Sequence, residues 1–133
     1  MNAMMTSSGV GGMPVKKNPR ELVLAYLQAL NDENFDLARR YVSDEMEFTG
    51  ALASRQGAEA VFADLERMRL KYDIKKVFVD ANDVCVFYDV TLSGVTVFTC
   101  GWYKVEDGQI SSLKVVFDPR PVLAVKPLRG LCP

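Results

Sequence analysis

Two aspartates on strand-like runs are the residues of this chain best placed to do chemistry: Asp118, in Val116-Phe117-Asp118-Pro119-Arg120-Pro121, and Asp89, two strands earlier. A carboxylate set where a strand runs into a proline stop can project into the mouth of a curved sheet, and Asp before Pro is also ordinary turn chemistry. Alternation puts Cys85, Phe87, Asp89 and Thr91 on one side of their strand, and Lys114, Val116 and Asp118 on one side of theirs. Side-chain parity therefore permits both acids to face one cavity. Apolar walls drawn from Phe48, Phe62, Phe87, Phe98, Trp102 and Val116 would exclude water from it, favour the neutral acid and raise a carboxyl pKa toward working pH. One Asp then donates a proton while the other accepts, which suits proton shuffling beside a ligand carbonyl, cyclisation or activation of a water. Tyr26 offers a phenolic donor.

Each of these residues also has a plain structural reading. Asp118 ends its strand and pairs with Arg120, Asp89 lies on an exposed strand face or a dimer interface, and Tyr26 and the aromatic residues belong to the core. The chain has no histidine, which removes Ser-His and Cys-His nucleophile systems together with imidazole metal ligands. Its three cysteines, Cys85, Cys100 and Cys132, lack the spacing of a metal site or a disulfide framework and fit a reducing compartment as apolar thiols. No metal and no cofactor is expected.

The elements that must position these residues are legible from turn and cap signals. Residues 1–17, rich in Gly, Ser and Met without periodicity, read as a disordered leader to a single domain over 18–133, and 133 residues suit one core. At Asn18-Pro19-Arg20-Glu21 a helix opens with a cap, a first-turn proline and a capping-box Glu. Leu22, Ala25, Tyr26, Ala29 and Leu30 continue it, Asn31-Asp32 breaks it, and Phe35 to Tyr41 resume helical spacing. A short strand is expected from Met46 through Ala51, then a turn at Ser54 to Gly57, then a third helix carrying Val61, Phe62, Leu65, Met68 and Leu70. From Ile74 the period becomes strand-like, with hairpins closing at Ala81-Asn82-Asp83, Ser93-Gly94 and Glu106-Asp107-Gly108. Helices followed by an antiparallel meander predict an α+β fold with the helices on one face of the sheet.

The order of these elements, with Asn18-Pro19, the bend from Asn31 to Phe35, Gln56-Gly57-Ala58-Glu59-Ala60-Val61, Glu106-Asp107-Gly108-Gln109-Ile110 and Phe117-Asp118-Pro119-Arg120, resembles the SnoaL-like branch of the nuclear transport factor 2-like superfamily over residues 18 to 122. The resemblance implies a cone: a curved antiparallel sheet wrapped around a long helix, three helices in all, with an apolar pocket open at one end. It also implies a choice of functions, because this fold carries ketosteroid isomerases, polyketide cyclases, limonene-epoxide-type hydrolases, dehydratases and non-catalytic modules. Against the epoxide-hydrolase pattern Asp118 and Asp89 match the two acids, but Phe87 stands where that pattern has an Arg. Against the ketosteroid-isomerase pattern the base falls at Glu47-Phe48-Thr49 and the oxyanion acid near Cys100-Gly101, leaving Tyr26 as the phenolic donor.

Two functions follow as expectations. One is a cofactor-independent enzyme acting on a small apolar molecule through Asp89, Asp118 and Tyr26; the other is a non-catalytic module that binds an apolar ligand or dimerises. The net charge of −1 gives no electrostatic footprint for nucleic acid, and no apolar run is long enough for a signal peptide or a membrane span, so a soluble, cytoplasmic protein is expected. Three modest helices cannot cover both sheet faces, so a homodimer through the outer face is expected, with the apolar tail from Val122 to Pro133 packing on the sheet or the pocket mouth.

Overall fold

The computed structural model describes residues 17–124; the expected leader up to residue 16, Cys132 and the tail from residue 125 onward lie outside the described residues. Helix α1, Pro19–Asn31, begins as its signals require: Asn18 stays extended and its Oδ1 accepts the Glu21 amide proton at 2.8 Å, with Pro19 in the first turn. Leu22, Val23, Tyr26, Leu27 and Leu30 form its inward stripe, each at most 4% exposed. Asn34 caps α2, Phe35–Arg40, through the Leu37 amide. Helix α3, Ala58–Met68, stops at Arg69, whose φ of 51° turns the chain left-handed. A short α4, Arg120–Leu123, follows the last strand.

The strands are β1, Val42–Thr49; β2, Ser54–Gln56; β3, Lys71–Asp80; β4, Asp83–Leu92; β5, Val95–Glu106; and β6, Gln109–Phe117. They make one sheet in the order β2-β1-β6-β5-β4-β3. The meander β3 to β6 is antiparallel, and two of its turns carry two consecutive positive φ values, 51° and 80° at Ser93-Gly94 and 54° and 75° at Asp107-Gly108. Such turns match the strand twist, which is why short Ser-Gly and Asp-Gly signals set the register of 9- to 12-residue strands.

The sheet is mixed rather than wholly antiparallel. Strand β1 lies parallel to β6, with Val42 opposite Ile110 and Phe48 opposite Leu113. Parallel partners need a long crossover, and here the chain between them contains α3 and three further strands of the meander. The first strand starts at Val42, directly after α2, because the Tyr41 carbonyl already accepts the Ile110 amide proton at 2.8 Å. The segment Ser54–Gln56, expected as a turn, is a strand paired antiparallel to β1. Register shifts between Ile74 and Lys76, between Lys104 and Val105, and between Val42 and Glu47 bend the strands and curve the sheet.

Strand β3 is a sheet edge, and α1 is tied to it by one side chain. Asn31 Nδ2 donates to the Tyr72 carbonyl at 2.8 Å while Asn31 Oδ1 accepts the Tyr72 amide proton at 2.7 Å. Asn31 thereby pairs like a further strand residue and holds Tyr72 against the end of α1. Asn31→Ala is expected to cost about 1–3 kcal/mol, from two lost hydrogen bonds and two orphaned backbone groups; urea unfolding checks it, with the midpoint falling and the slope unchanged.

Candidate functional site

Strand parity decides what faces the helices. On β4 the concave side takes Val84, Val86 and Tyr88, all at most 1% exposed, followed by Val90 and Leu92. On β5 it takes Thr99, Gly101, Tyr103 and Val105, and on β6 Leu113, Val115 and Phe117. Between this face and helices α1, α3 and α4 lies a cavity of about 120 Å³. Leu65, Met68, Val90, Leu113 and Val115 make apolar walls, completed by the part-exposed Phe48, Leu92, Val97 and Phe117 and by buried Val122 of α4.

Three phenols line this apolar space: Tyr26 from α1, Tyr72 from β3 and Tyr88 from β4. Tyr88 Oη lies 2.7 Å from the hydroxyl of buried Tyr103. Gly101 makes that contact possible, because a Cβ there would stand 2.3 Å from the Tyr88 hydroxyl oxygen and 3.1 Å from its ring. The hydroxyls of Tyr26, which is 1% exposed, and of Tyr72 have no hydrogen-bond partner among the described residues. Burial raises all four phenols above their ordinary range by desolvating the phenolate, and nearby tyrosines add to this for Tyr26, Tyr72 and Tyr103; for Tyr88 the hydrogen bond shared with Tyr103 opposes it. These groups are neutral donors across the physiological range.

The charged side chains in the cavity wall are Arg55 of β2 and Asp64 of α3. Arg55 Nε meets Asp64 Oδ2 at 2.8 Å, and Arg67 Nη2 reaches the other oxygen, Oδ1, at 2.5 Å. Arg55 Nη1 also donates to the Ser54 carbonyl at 2.9 Å. Thr99, 3% exposed, donates to the Val97 carbonyl. Among the described residues no three of Cys, Asp or Glu gather as a metal site, and no helix is long and apolar enough to cross a membrane.

The two aspartates of the sequence reading do not meet: Asp89 lies on the convex face of the sheet, and Asp118 lies beyond the end of β6. Asp89 faces away from the cavity, opposite Asp73 on β3 and Phe98 on β5, with Lys75 Nζ 3.8 Å from its carboxylate. Asp118 follows the end of β6 and is clasped by Arg120, which donates from Nε at 2.9 and 3.0 Å, from Nη2 at 2.6 Å and from its backbone amide at 3.0 Å. These bonds pull the Asp118 carboxyl down to about 2. The acids therefore do not converge in the cavity, and the electrostatics around Asp118 stabilise its ionised form rather than a proton donor.

Phe87, Phe98, Trp102 and Val116 lie on that same convex face, the last three at 60%, 44% and 67% exposure. Phe62 is core behind the cavity, edge-on to Tyr26 with centroids 6.5 Å apart. Of the expected ligand contacts Phe48 lines the cavity, and so does Tyr26 among the expected catalytic residues. Tyr72, Tyr88, Arg55, Asp64 and Thr99 were not anticipated. The signal for Tyr88 was available: Val84, Val86, Tyr88, Val90 and Leu92 form the wholly uncharged parity of β4, whereas the other parity holds Asp89. Cys85 and Cys100 are half-buried on the convex face with sulfurs 3.4 Å apart, and burial, then Cys85, pushes the Cys100 thiol up to about 11.

The SnoaL-like domain profile matches residues 23–113. An NTF2-like protein of unknown function from Cytophaga hutchinsonii is 40% identical and superposes with a TM-score of 0.81 over 84% of this chain and 99% of its own. An LEH-like epoxide hydrolase from M. tuberculosis, at 22% identity, shares the fold with a TM-score of 0.67 over 85% of this chain and 88% of its own. A candidate SnoaL-like polyketide cyclase from Shewanella denitrificans, at 14% identity, does so at 0.70 over 80% and 94%. No curated protein matches the chain.

Two outcomes test this geometry. Gly101→Ala should lower stability by about 1–3 kcal/mol by overpacking against Tyr88; an unchanged denaturation midpoint would mean that Tyr88 swings aside freely. Asp118 should titrate near 2 by carboxyl-carbon NMR, and Arg120→Gln should return it toward 3.8. Because the folded value is depressed, the contribution of this pair is present above about 4 and is lost as pH falls toward 2.

Proposed function

We propose, from the premise that the chain belongs to the SnoaL-like family, that it is a binding module whose cavity takes a small apolar molecule carrying a hydrogen-bond acceptor such as a carbonyl oxygen. The observation that carries this is Tyr26: it lines the cavity, is almost fully buried, is held neutral by its surroundings, and its hydroxyl has no partner among the described residues. A buried hydroxyl without a partner costs about 1–3 kcal/mol, and a ligand oxygen in the cavity recovers it. Phe48, Leu65, Val90 and Leu113 supply the apolar contact. The reading does not use Asp89 or Asp118, and it leaves the neutral phenols as donors that polarise an acceptor.

The convex face supports a second element of the proposal, a homodimer. Phe78, Phe87 and Phe98 form a row with neighbouring centroids 6.0 Å apart, Phe78 edge-on to Phe87 and Phe87 stacked on Phe98, and Trp102 and Val116 extend the row across β5 and β6. Charges of both signs, Asp73, Asp89, Lys76 and Lys114, lie on the same face, so two copies of it can meet in an isologous contact without like charges alone facing each other. Phe98→Asp is expected to convert the dimer to a monomer in sedimentation at micromolar concentration. A wild type that sediments as a monomer overturns this element.

Acetophenone and α-methylstyrene, which differ by a carbonyl oxygen against a methylene, test the pocket. Acetophenone should shift the methyl resonances of Leu65, Val90 and Leu113 saturably, and Tyr26→Phe should weaken it about fivefold while leaving α-methylstyrene unaffected. Absence of saturable shifts with either compound sinks the reading.

A further inference from the structure

Two thiols on the convex face stand outside the chemistry of the cavity and lie close enough to react with each other. Cys85 of β4 and Cys100 of β5 hold their sulfurs 3.4 Å apart. The register explains the approach: Cys85 lies opposite Trp102 and Cys100 opposite Phe87, so the cysteines are diagonal neighbours across one antiparallel pair. The turn at Ser93-Gly94 sets that register, which makes the meeting of the thiols a property of the hairpin. Among the described residues the pair belongs to no metal-ligating cluster. Neither sulfur is sealed in the core, since both residues are half-buried, and Trp102 beside Cys85 is 44% exposed. A small neutral oxidant therefore reaches them from the convex side.

The two thiols are not equivalent. Burial, and then the contact with Cys85, keeps the proton on Cys100. The first attack on an oxidant thus falls to Cys85, and Cys100 stands in contact with it as the resolving thiol.

We infer that Cys85 and Cys100 are a modification site, a dithiol that hydrogen peroxide converts into a reversible disulfide between β4 and β5. The Cys85 sulfur attacks one peroxide oxygen, the O–O bond breaks, and Cys85 becomes a sulfenic acid as one water leaves. The Cys100 sulfur then attacks the Cys85 sulfur, the S–O bond breaks, and a second water leaves with the Cys100 proton. Two electrons pass from the thiols to the peroxide, and the products are one disulfide and two waters. The sulfurs have to close from 3.4 Å to about 2.05 Å. A diagonal pair spans more backbone than a directly opposite one, which leaves the bridge open to reduction by a thiol. The site is a conditional link rather than a permanent staple, and it stands or falls independently of the cavity reading.

The test treats the reduced, full-length protein with a small excess of hydrogen peroxide, unfolds it in an alkylating buffer, and cleaves it before Asp89, between the two cysteines. The wild type should lose two of its three alkylatable thiols, with a mass loss of about 2 Da before alkylation. The fragments carrying Cys85 and Cys100 should stay joined until reduced glutathione parts them. Cys100→Ser should instead leave a sulfenic acid on Cys85 that dimedone captures, and Cys85→Ser should leave Cys100 unoxidised at the same dose. If either variant fails to fold, the wild-type fragment map alone decides whether the bridge forms. Fragments that separate without reductant overturn the inference, as do a link that runs to Cys132 or to a second copy, and stepwise gain of oxygen without a bridge. A bridge that reduced glutathione leaves intact overturns its reversibility, and dimedone captured on Cys100 in Cys85→Ser overturns the order of attack.

Discussion

The seating of α1 in the concave face of the sheet is the contact on which the remaining structure depends. Leu22, Val23, Tyr26, Leu27 and Leu30 are buried there against Val84, Val86, Tyr88 and Tyr103, and burying side chains of this size supplies about 1.5–3 kcal/mol each. Once α1 lies in the sheet, strand alternation leaves no freedom: one parity of each strand belongs to the core and cavity, the other to the convex surface. Asn31 ties the end of the helix to the β3 edge, and Tyr72 is thereby fixed beside Tyr88, with ring centroids 5.3 Å apart. The phenol cluster is thus a consequence of how one helix is docked.

What the sequence made legible was local. Asn18-Pro19, Ser93-Gly94 and Asp107-Gly108 act through the backbone of two to four adjacent residues, and each fell where it was read. The parallel pairing of β1 with β6 was not legible, because it joins segments separated by α3 and the meander and leaves no mark in either strand's own pattern. The same holds for Ser54–Gln56, three residues with no apolar alternation, made a strand by their partner β1.

The site was less legible than the fold for a specific physical reason: both faces of β4 and β5 carry aromatic residues. A half-exposed antiparallel strand ordinarily separates an apolar face from a polar one, so Phe87, Phe98 and Trp102 looked like cavity walls. They are instead the exposed rows of a sheet with two apolar faces, and Asp89 travels with them. The discriminating marks were small ones. Asp89 and Lys114 label the convex parity, whereas Gly101, alternating with Cys100 and Trp102, marks where a large neighbouring ring needs space on the concave side.

Relocating the aspartates changes what the cavity can do. A shared proton between two buried acids needs both carboxylates desolvated; Asp118 is instead ionised and clasped in solvent by Arg120, and Asp89 lies across the sheet from the cavity. The groups that do line the cavity have one-sided chemistry. Burial keeps the phenols protonated, so they donate hydrogen bonds and cannot take up a proton. Thr99 spends its hydroxyl proton on the Val97 carbonyl, and Arg55 has only donors. Asp64, the one carboxylate in the described wall, has each oxygen engaged by a guanidinium. A surface whose phenols and guanidinium donate, and whose one described carboxylate is already engaged, recognises oxygen lone pairs. Binding and polarising a ligand oxygen therefore lie within its reach, whereas abstracting a proton requires breaking the Asp64 ion pairs first.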